Sequence, residues 1–211
     1  KPILKERIWG GTKLKSYLNK PISSEITGES WEISTVPNDV SVVSNGALKG
    51  KNINELIELF SKDFLGESVI ARFGNEFPLL FKFIDAKEDL SIQLHPNDFL
   101  AKKRHNSFGK TEMWYVMQAD PNSRLVVGFK KNTTKQEYLN HLENKTLVSI
   151  LNEVSVKKGD VFFLETGTIH AIGACVVIAE IQQTSDVTYR IYDWDRVDVN
   201  GNSRELHTDL V

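Results

Sequence analysis

Short apolar runs of strand length, each closed by turn-forming residues, recur along most of the chain, and they limit the fold more than any other feature. They cover Ser68 to Arg72, Leu79 to Asp85, Leu90 to His95, Glu112 to Gln118, Leu125 to Phe129, Asp160 to Leu164 and Ala174 to Gln182. Runs that follow one another without long helices between them pair most simply as antiparallel neighbours. Two stretches have helical spacing instead: Ile53, Leu56, Ile57, Leu59 and Phe60, and then Tyr138, Leu139 and Leu142 followed by Leu147, Ile150 and Leu151. Thr133 or Thr134 is placed to cap the second. The sequence holds no strand–helix–strand alternation, no internal repeat and no Gly-rich phosphate loop. It predicts a mainly β sandwich or barrel carrying short helical insertions.

At 211 residues the chain is long enough to bury roughly 70% of its unfolded surface, so stability requires neither disulfides nor a structural metal. A metal here would serve chemistry. The 26 Lys and Arg against 28 Asp and Glu leave a net charge of -2, which excludes nucleic acid or an anionic membrane surface as the main partner. Cys175 is the only cysteine, which points to a reducing compartment, the cytoplasm, and it reads as a small buried hydrophobe. The longest apolar runs, such as Ala174 to Ile181, fall far short of the ~20 residues of a membrane helix. Asn200-Gly201 is a hairpin signal near the end.

Three segments could carry chemistry. In Ser91-Ile92-Gln93-Leu94-His95-Pro96, strand alternation puts Ser91, Gln93 and His95 on one face and Ile92 and Leu94 on the other. A Gln oxygen and a His nitrogen could then meet one metal ion, although a hydrogen-bonded His closing a strand is the ordinary reading. In Lys110-Thr111-Glu112-Met113-Trp114, an amine, a carboxylate and an indole share a face, as they would equally in a surface ion pair. In Gly159 to His170, a buried strand delivers a turn at Gly167 that presents His170. This last spacing resembles the second cupin motif, with Glu165 where that family usually has Pro. The first cupin motif fits less well, since Gln93 replaces its first His and the gap from His95 to Glu112 is long.

These segments, with Trp9-Gly10-Gly11, Gly28-Glu29-Ser30-Trp31-Glu32, Phe77-Pro78-Leu79-Leu80-Phe81-Lys82, Ser185 to Arg190 and Tyr192-Asp193-Trp194-Asp195-Arg196, together resemble the type I mannose-6-phosphate isomerases, particularly the short bacterial form. The resemblance covers nearly the whole chain. It implies a single cupin-like catalytic domain over residues 1–211, a jelly-roll β-barrel with helical insertions near 51–65 and 133–154. It also implies that a strand-rich segment continuing beyond Val211 in the family is lacking here.

The same likeness implies one zinc ion held by Gln93, His95, Glu112 and His170, and a small phosphorylated sugar as substrate. The reaction would interconvert mannose 6-phosphate and fructose 6-phosphate by moving a proton between C1 and C2 through a cis-enediol, with zinc acting either as Lewis acid or as template. Lys110 and Glu180 are the candidates for proton transfer; for Glu180, pairing with Arg190 or Lys82 is the ordinary alternative. Arg190 matches the family's catalytic arginine, and Lys82 and Ser91 match positions that face the sugar phosphate. A non-catalytic sugar-binding cupin is the competing reading, and no obligate protein partner is evident. His105 reads as part of a solvated basic loop, and His207 stands in no motif.

Overall fold

The computed structural model describes residues 1–198 and 200–211. The first half of the chain contains β1 (Ile3–Gly11), α1 (Lys13–Ser16), β2 (Thr27–Ile33), β3 (Thr35–Val36), β4 (Asp39–Val40), α2 (Ile53–Phe60), α3 (Lys62–Leu65), α4 (Glu67–Phe73), β5 (Leu79–Ala86), β6 (Ile92–Leu94) and α5 (Asp98–His105). The second half contains β7 (Glu112–Ala119), β8 (Arg124–Phe129), α6 (Lys135–Glu143), a 3-10 turn (Leu147–Ile150), β9 (Leu151–Ser155), β10 (Val161–Leu164), β11 (His170–Ile172), β12 (Val176–Gln183), β13 (Tyr189–Tyr192) and a final 3-10 turn (Thr208–Leu210).

The strands form a six-stranded sheet, β1-β2-β5-β12-β7-β10, and a five-stranded sheet, β13-β6-β11-β8-β9, antiparallel throughout. This is the mainly β architecture expected. Trp9, Ile84, Trp114, Val116, Leu125, Ile172 and Ile178 form the largest apolar cluster, to which strands of both sheets contribute. A second cluster joins Ile92, Val126, Ala171 and Ile191 to Leu147 and, at its margin, Tyr138 and Leu142 of α6. Period-two alternation produces this division: Ala171 and His170, or Val126 and Leu125, point to opposite faces of one sheet. The 3-10 turn and α6 therefore cover the far face of the smaller sheet. Thr134 caps α6, its hydroxyl accepting from Glu137 N at 3.2 Å while the Glu137 carboxylate accepts from Thr134 N at 2.8 Å.

On the interior face of β12 the buried positions run Val176, Ile178, Glu180 and Gln182, and on that of β5 they run Leu80, Lys82, Ile84 and Ala86, while Val177 and Asp85 are buried on the opposite face. Charged groups thus replace apolar ones in the middle and at one end of the interior. Gly10 and Gly28 let β1 and β2 close up beside that end: a Cβ on Gly10 would lie 2.4 Å from Gly28 N.

Several local expectations are corrected. Ser68 to Arg72 is not a strand but lies within α4, bounded by Gly66 at φ +87° and Gly74 at φ +66°. The adjacent β-branched Val69 and Ile70 suggest a strand, but Glu67 in the first turn and Arg72 in the last suit a helix dipole, and among the described residues no strand pairs with the segment. The basic run before Asn106 belongs to α5, capped by Asn97, whose side chain accepts from Leu100 N at 2.9 Å. Its single buried residue, Ala101, explains why no amphipathic period marks it. Leu151 begins β9 instead of ending a helix. Cys175 is only half-buried, at φ +65°. The Asn200-Gly201 signal does correspond to a turn: Gly201 N donates to Asp198 O at 3.0 Å, and Val197 bridges Ser203.

Candidate active site

Two cross-strand rows face the polar end of the interior. In the larger sheet Trp31, Lys82, Glu180 and Trp114 are successive register partners on β2, β5, β12 and β7. In the smaller sheet Arg190, Gln93 and His170 are partners on β13, β6 and β11. Residues distant in the chain thus become neighbours because register aligns them.

His95, Glu112 and His170 each offer a ligand atom, all within 4.8 Å of one another, and all three side chains are buried. The two imidazoles are fixed in matching tautomers. His95 Nδ1 donates to the Val187 carbonyl at 2.9 Å and His170 Nδ1 to the Thr168 carbonyl at 2.8 Å, so each Nε2 lone pair points to the common centre. Burial, reinforced by the nearby Lys110 ammonium, pushes His95 down to about 3 against the pull of Glu112, and burial likewise lowers His170. Both rings are therefore neutral at pH 7, as metal ligation requires.

The Glu112 carboxylate is 1% exposed, and neither oxygen receives a well-aligned hydrogen bond, although Lys110 Nζ lies 2.7 Å from Oε1. Short distance and poor alignment together describe an ion pair with lone pairs to spare. Burial acts upward on this carboxyl, but the Lys110 ammonium outweighs it and holds the group well below the ordinary carboxylate range. Gln93 Nε2 stands 3.5 Å from His170 Nε2, and its Oε1 accepts from Ser91 Oγ at 3.2 Å. A half-turn of the amide exchanges its oxygen and nitrogen, and a hydroxyl can serve either as partner. Two imidazole nitrogens, a free carboxylate and an adjacent amide suit a divalent metal such as zinc.

A cavity of about 570 Å³ opens onto this cluster, lined by Gln93, His170 and Lys110 on one side and by Trp31, Lys82 and Glu180 on another. Lys82 is 7% exposed, so it is not a strand lysine reaching for solvent. Its Nζ lies 2.8 Å from Glu180 Oε1, while Trp114 Nε1 donates to Glu180 Oε2 at 2.7 Å. Glu180 thus pairs with Lys82 and not with Arg190. Burial acts downward on Lys82, but Glu180, Glu29 and Glu112 together raise it above the ordinary lysine range.

Six Lys and Arg side chains line the cavity: Lys5, Arg7, Lys82, Lys110, Arg190 and Arg204. Five are ion-paired, with Asp39, Glu29, Glu180, Glu112 and Asp193 respectively for all but Arg190. Arg190 makes no ion pair with a described residue, and its Nε is buried without a partner. Burial and the neighbouring Arg204 both destabilise its charge. An anionic ligand would satisfy it.

The nine candidate ligand, catalytic and substrate-binding residues, Gln93, His95, Glu112, His170, Lys110, Glu180, Arg190, Lys82 and Ser91, therefore all lie at this one end of the fold. Sequence reasoning assigned no role to Arg7, Glu29 or Arg204. Glu29 is buried, receives Arg7 Nε and Nη2 at 3.1 Å each, and receives Trp31 Nε1 at 2.6 Å. Its motif, Gly28 to Glu32, was visible, but nothing local distinguishes a buried Glu from a solvated one. Arg196 pairs with Asp193 of the same motif at 3.1 Å. His105 is not free in a loop: its Nε2 lies 3.0 Å from the Tyr189 hydroxyl.

The family model for the type I phosphomannose isomerase catalytic domain matches residues 1–124. The chain is 43% identical over 208 residues to the mannose-6-phosphate isomerase ManA of Bacillus subtilis, covering 98% of this chain and 64% of that protein. It superposes on the crystal structure of the mannose 6-phosphate isomerase from Bacillus subtilis with a TM-score of 0.92 and 39% identity, over 100% of this chain and 65% of the other. A zinc-bound mannose 6-phosphate isomerase structure, 19% identical, shares the fold at a TM-score of 0.68 over 90% of this chain and 69% of its own. The chain thus spans about two thirds of the length of the relatives it matches. Among the described residues no helix is long and apolar enough to cross a membrane. A match over more than half the chain, on a fold that brings the expected side chains together, places this chain in the type I phosphomannose isomerase family.

Proposed function

We propose that the chain catalyses the zinc-dependent interconversion of mannose 6-phosphate and fructose 6-phosphate, with His95, Glu112, His170 and Gln93 holding the metal. The observation that carries this reading is the pair of histidines fixed with both Nε2 lone pairs toward a buried carboxylate that lacks aligned donors. A cavity of about 570 Å³ is of the size that encloses a small ligand such as a hexose phosphate. The family and the zinc carried by a structural relative support the same assignment. Reducing conditions suit a chain with one cysteine, and we place the reaction in the cytoplasm.

Aldose–ketose isomerisation removes a proton from one of two adjacent sugar carbons and returns it to the other, while negative charge grows on the oxygens. Bound zinc supplies a Lewis acid and a template for those oxygens. Lys110, 2.7 Å from Glu112 and 3.1 Å from His95 Nε2, stands at the metal end; a divalent cation held there would favour its neutral amine, which would take the carbon-bound proton and return it to the neighbouring carbon. Glu180 accepts from Trp114 at Oε2, and its Oε1 is ion-paired with Lys82 without an aligned hydrogen bond, so it holds Lys82 toward the cavity and is the second candidate for the proton. Lys82 and the Ser91 hydroxyl bind polar groups of the substrate. Arg190, unpaired and beside Gln93 in register, stabilises the enediolate or the phosphate with a fixed planar charge.

The test is a coupled assay of fructose 6-phosphate formed from mannose 6-phosphate. Chelator-treated protein should lose turnover and regain it with zinc. Turnover indifferent to chelation, or none after zinc loading, rejects the reading.

A further inference from the structure

Arg190 lies on β13, an edge strand, and pairs with Gln93 on one side only. The backbone groups on its open side would face water in a bare edge. They do not. His207 N donates to Arg190 O at 2.7 Å, and Arg190 N donates to His207 Nδ1 at 3.1 Å. A side-chain nitrogen thus stands in for the carbonyl of a partner strand. Because Nδ1 accepts, the imidazole must carry its proton on Nε2. Two residues earlier, the Glu205 carbonyl accepts from Arg190 Nη1 at 2.8 Å, fixing the guanidinium itself. The strap is fastened beyond this point, where Arg104 Nη1 of α5 donates to Leu210 O at 2.8 Å.

We propose that His207 is a positioning residue for Arg190: together with the Glu205 carbonyl it sets the backbone and the aim of the one cavity cation that, among the described residues, no carboxylate holds. Arg190 needs such support because its neighbours do not supply it. Arg204 is bound to Asp193, with Nε 2.7 Å from Oδ2, and Arg196 is bound to the same carboxylate, so Arg190 stands beside two like charges, with the Asp193 and Glu205 carboxylates near enough to be felt but in no ion pair with it. Without the strap, the guanidinium is free to swing out of the cavity toward water. A misplacement of about 1 Å at a reacting centre can cost ~10² in rate, so the effect belongs in turnover and ligand affinity. The inference rests on the isomerase reading for the ligand's identity, while the strap contacts stand independently of it.

The experiment compares His207→Ala, His207→Phe and His207→Asn on the zinc-loaded chain. Phe keeps a ring against Tyr189, whose own ring centroid is 6.4 Å away, but offers no acceptor. Asn offers an oxygen at the position of Nδ1. Turnover of mannose 6-phosphate and Kd for fructose 6-phosphate by calorimetry are both read, with zinc content and Tm as controls. Ala and Phe should each lose about tenfold or more in kcat and weaken fructose 6-phosphate binding, while Asn restores most of both. In an Arg190→Ala background the His207 changes should have no further effect on Kd. Should Ala fail to fold, Phe against Asn decides alone. Equal loss in Phe and Asn, no loss in Phe, or an additive loss in the Arg190→Ala background overturns the proposal. A wild type that binds fructose 6-phosphate without turnover counts against the isomerase reading only, and the Kd series still tests the strap. A wild type that does neither overturns both.

Discussion

Glu29 gives a quantitative test of the charge network beneath the cavity. Its carboxylate is 7% exposed, accepts two bonds from Arg7 and one from Trp31, and lies close enough to Lys82 to feel its charge. Burial is the largest influence on the group and acts upward, yet Lys82 and Arg7 outweigh it and bring the carboxyl from 4.5 down to about 2. A carboxyl whose folded pKa is depressed stabilises the fold fully above its unfolded pKa and loses that contribution as pH falls through the folded value. At pH 7 the contribution is on the order of 3 kcal/mol, the size typical of breaking one side of a buried pair. By pH 3 most of the unfolded chains would be protonated at this site, and about 2 kcal/mol of the advantage is gone. Glu29→Gln should therefore destabilise the metal-free chain strongly at pH 7, and this deficit should shrink by about 2 kcal/mol on going to pH 3. Urea unfolding of both proteins across that range measures it. The Gln amide also meets Arg7 and Trp31 unfavourably, but that cost is independent of pH, so the change in deficit is the quantity to read. A deficit that stays constant would refute the charge-network reasoning.

Two further perturbations bear on the site. His170→Ala should bring bound zinc from one equivalent to well below one, measured by atomic emission after dialysis, with the secondary structure retained; stoichiometric zinc would remove His170 from the ligand set. Arg190→Ala should reduce kcat by about 10²- to 10³-fold, the scale of losing one stabilising donor in a water-poor site, and Arg190→Lys should recover little because an ammonium lacks the planar fork. Near-normal kinetics for either variant would take Arg190 out of the mechanism.

Much of the site was legible in sequence because strands have a period of two. Ser91, Gln93 and His95 alternate with Ile92 and Leu94, and Lys110, Glu112 and Trp114 alternate with Thr111 and Met113, so a face of polar groups amid apolar ones already marked an interior with chemistry in it. The turn at Gly167 was legible for a different reason: its φ of +81° favours glycine, and His170 follows at a fixed distance. Helix α6 declared itself through Thr134 and Glu137, a local capping signal. Helix α4 did not, since two β-branched residues argued for a strand and only the absence of a neighbouring strand decided otherwise.

By itself the sequence determined the fold class, the candidate metal ligands and the family likeness, since each of these depends on spacing along the chain, which local geometry converts directly into direction. Tertiary structure decided which charges meet. Glu180 could have paired with Arg190 or Lys82, and the register of β12 against β5 gave it to Lys82. Arg190 has no ion-pair partner among the described residues because β13 sits at the edge of the other sheet, and His207, which carried no motif, became its neighbour when the chain folded back along that edge. Such pairings depend on burial and on strand order, which long-range packing sets and no short window of residues contains.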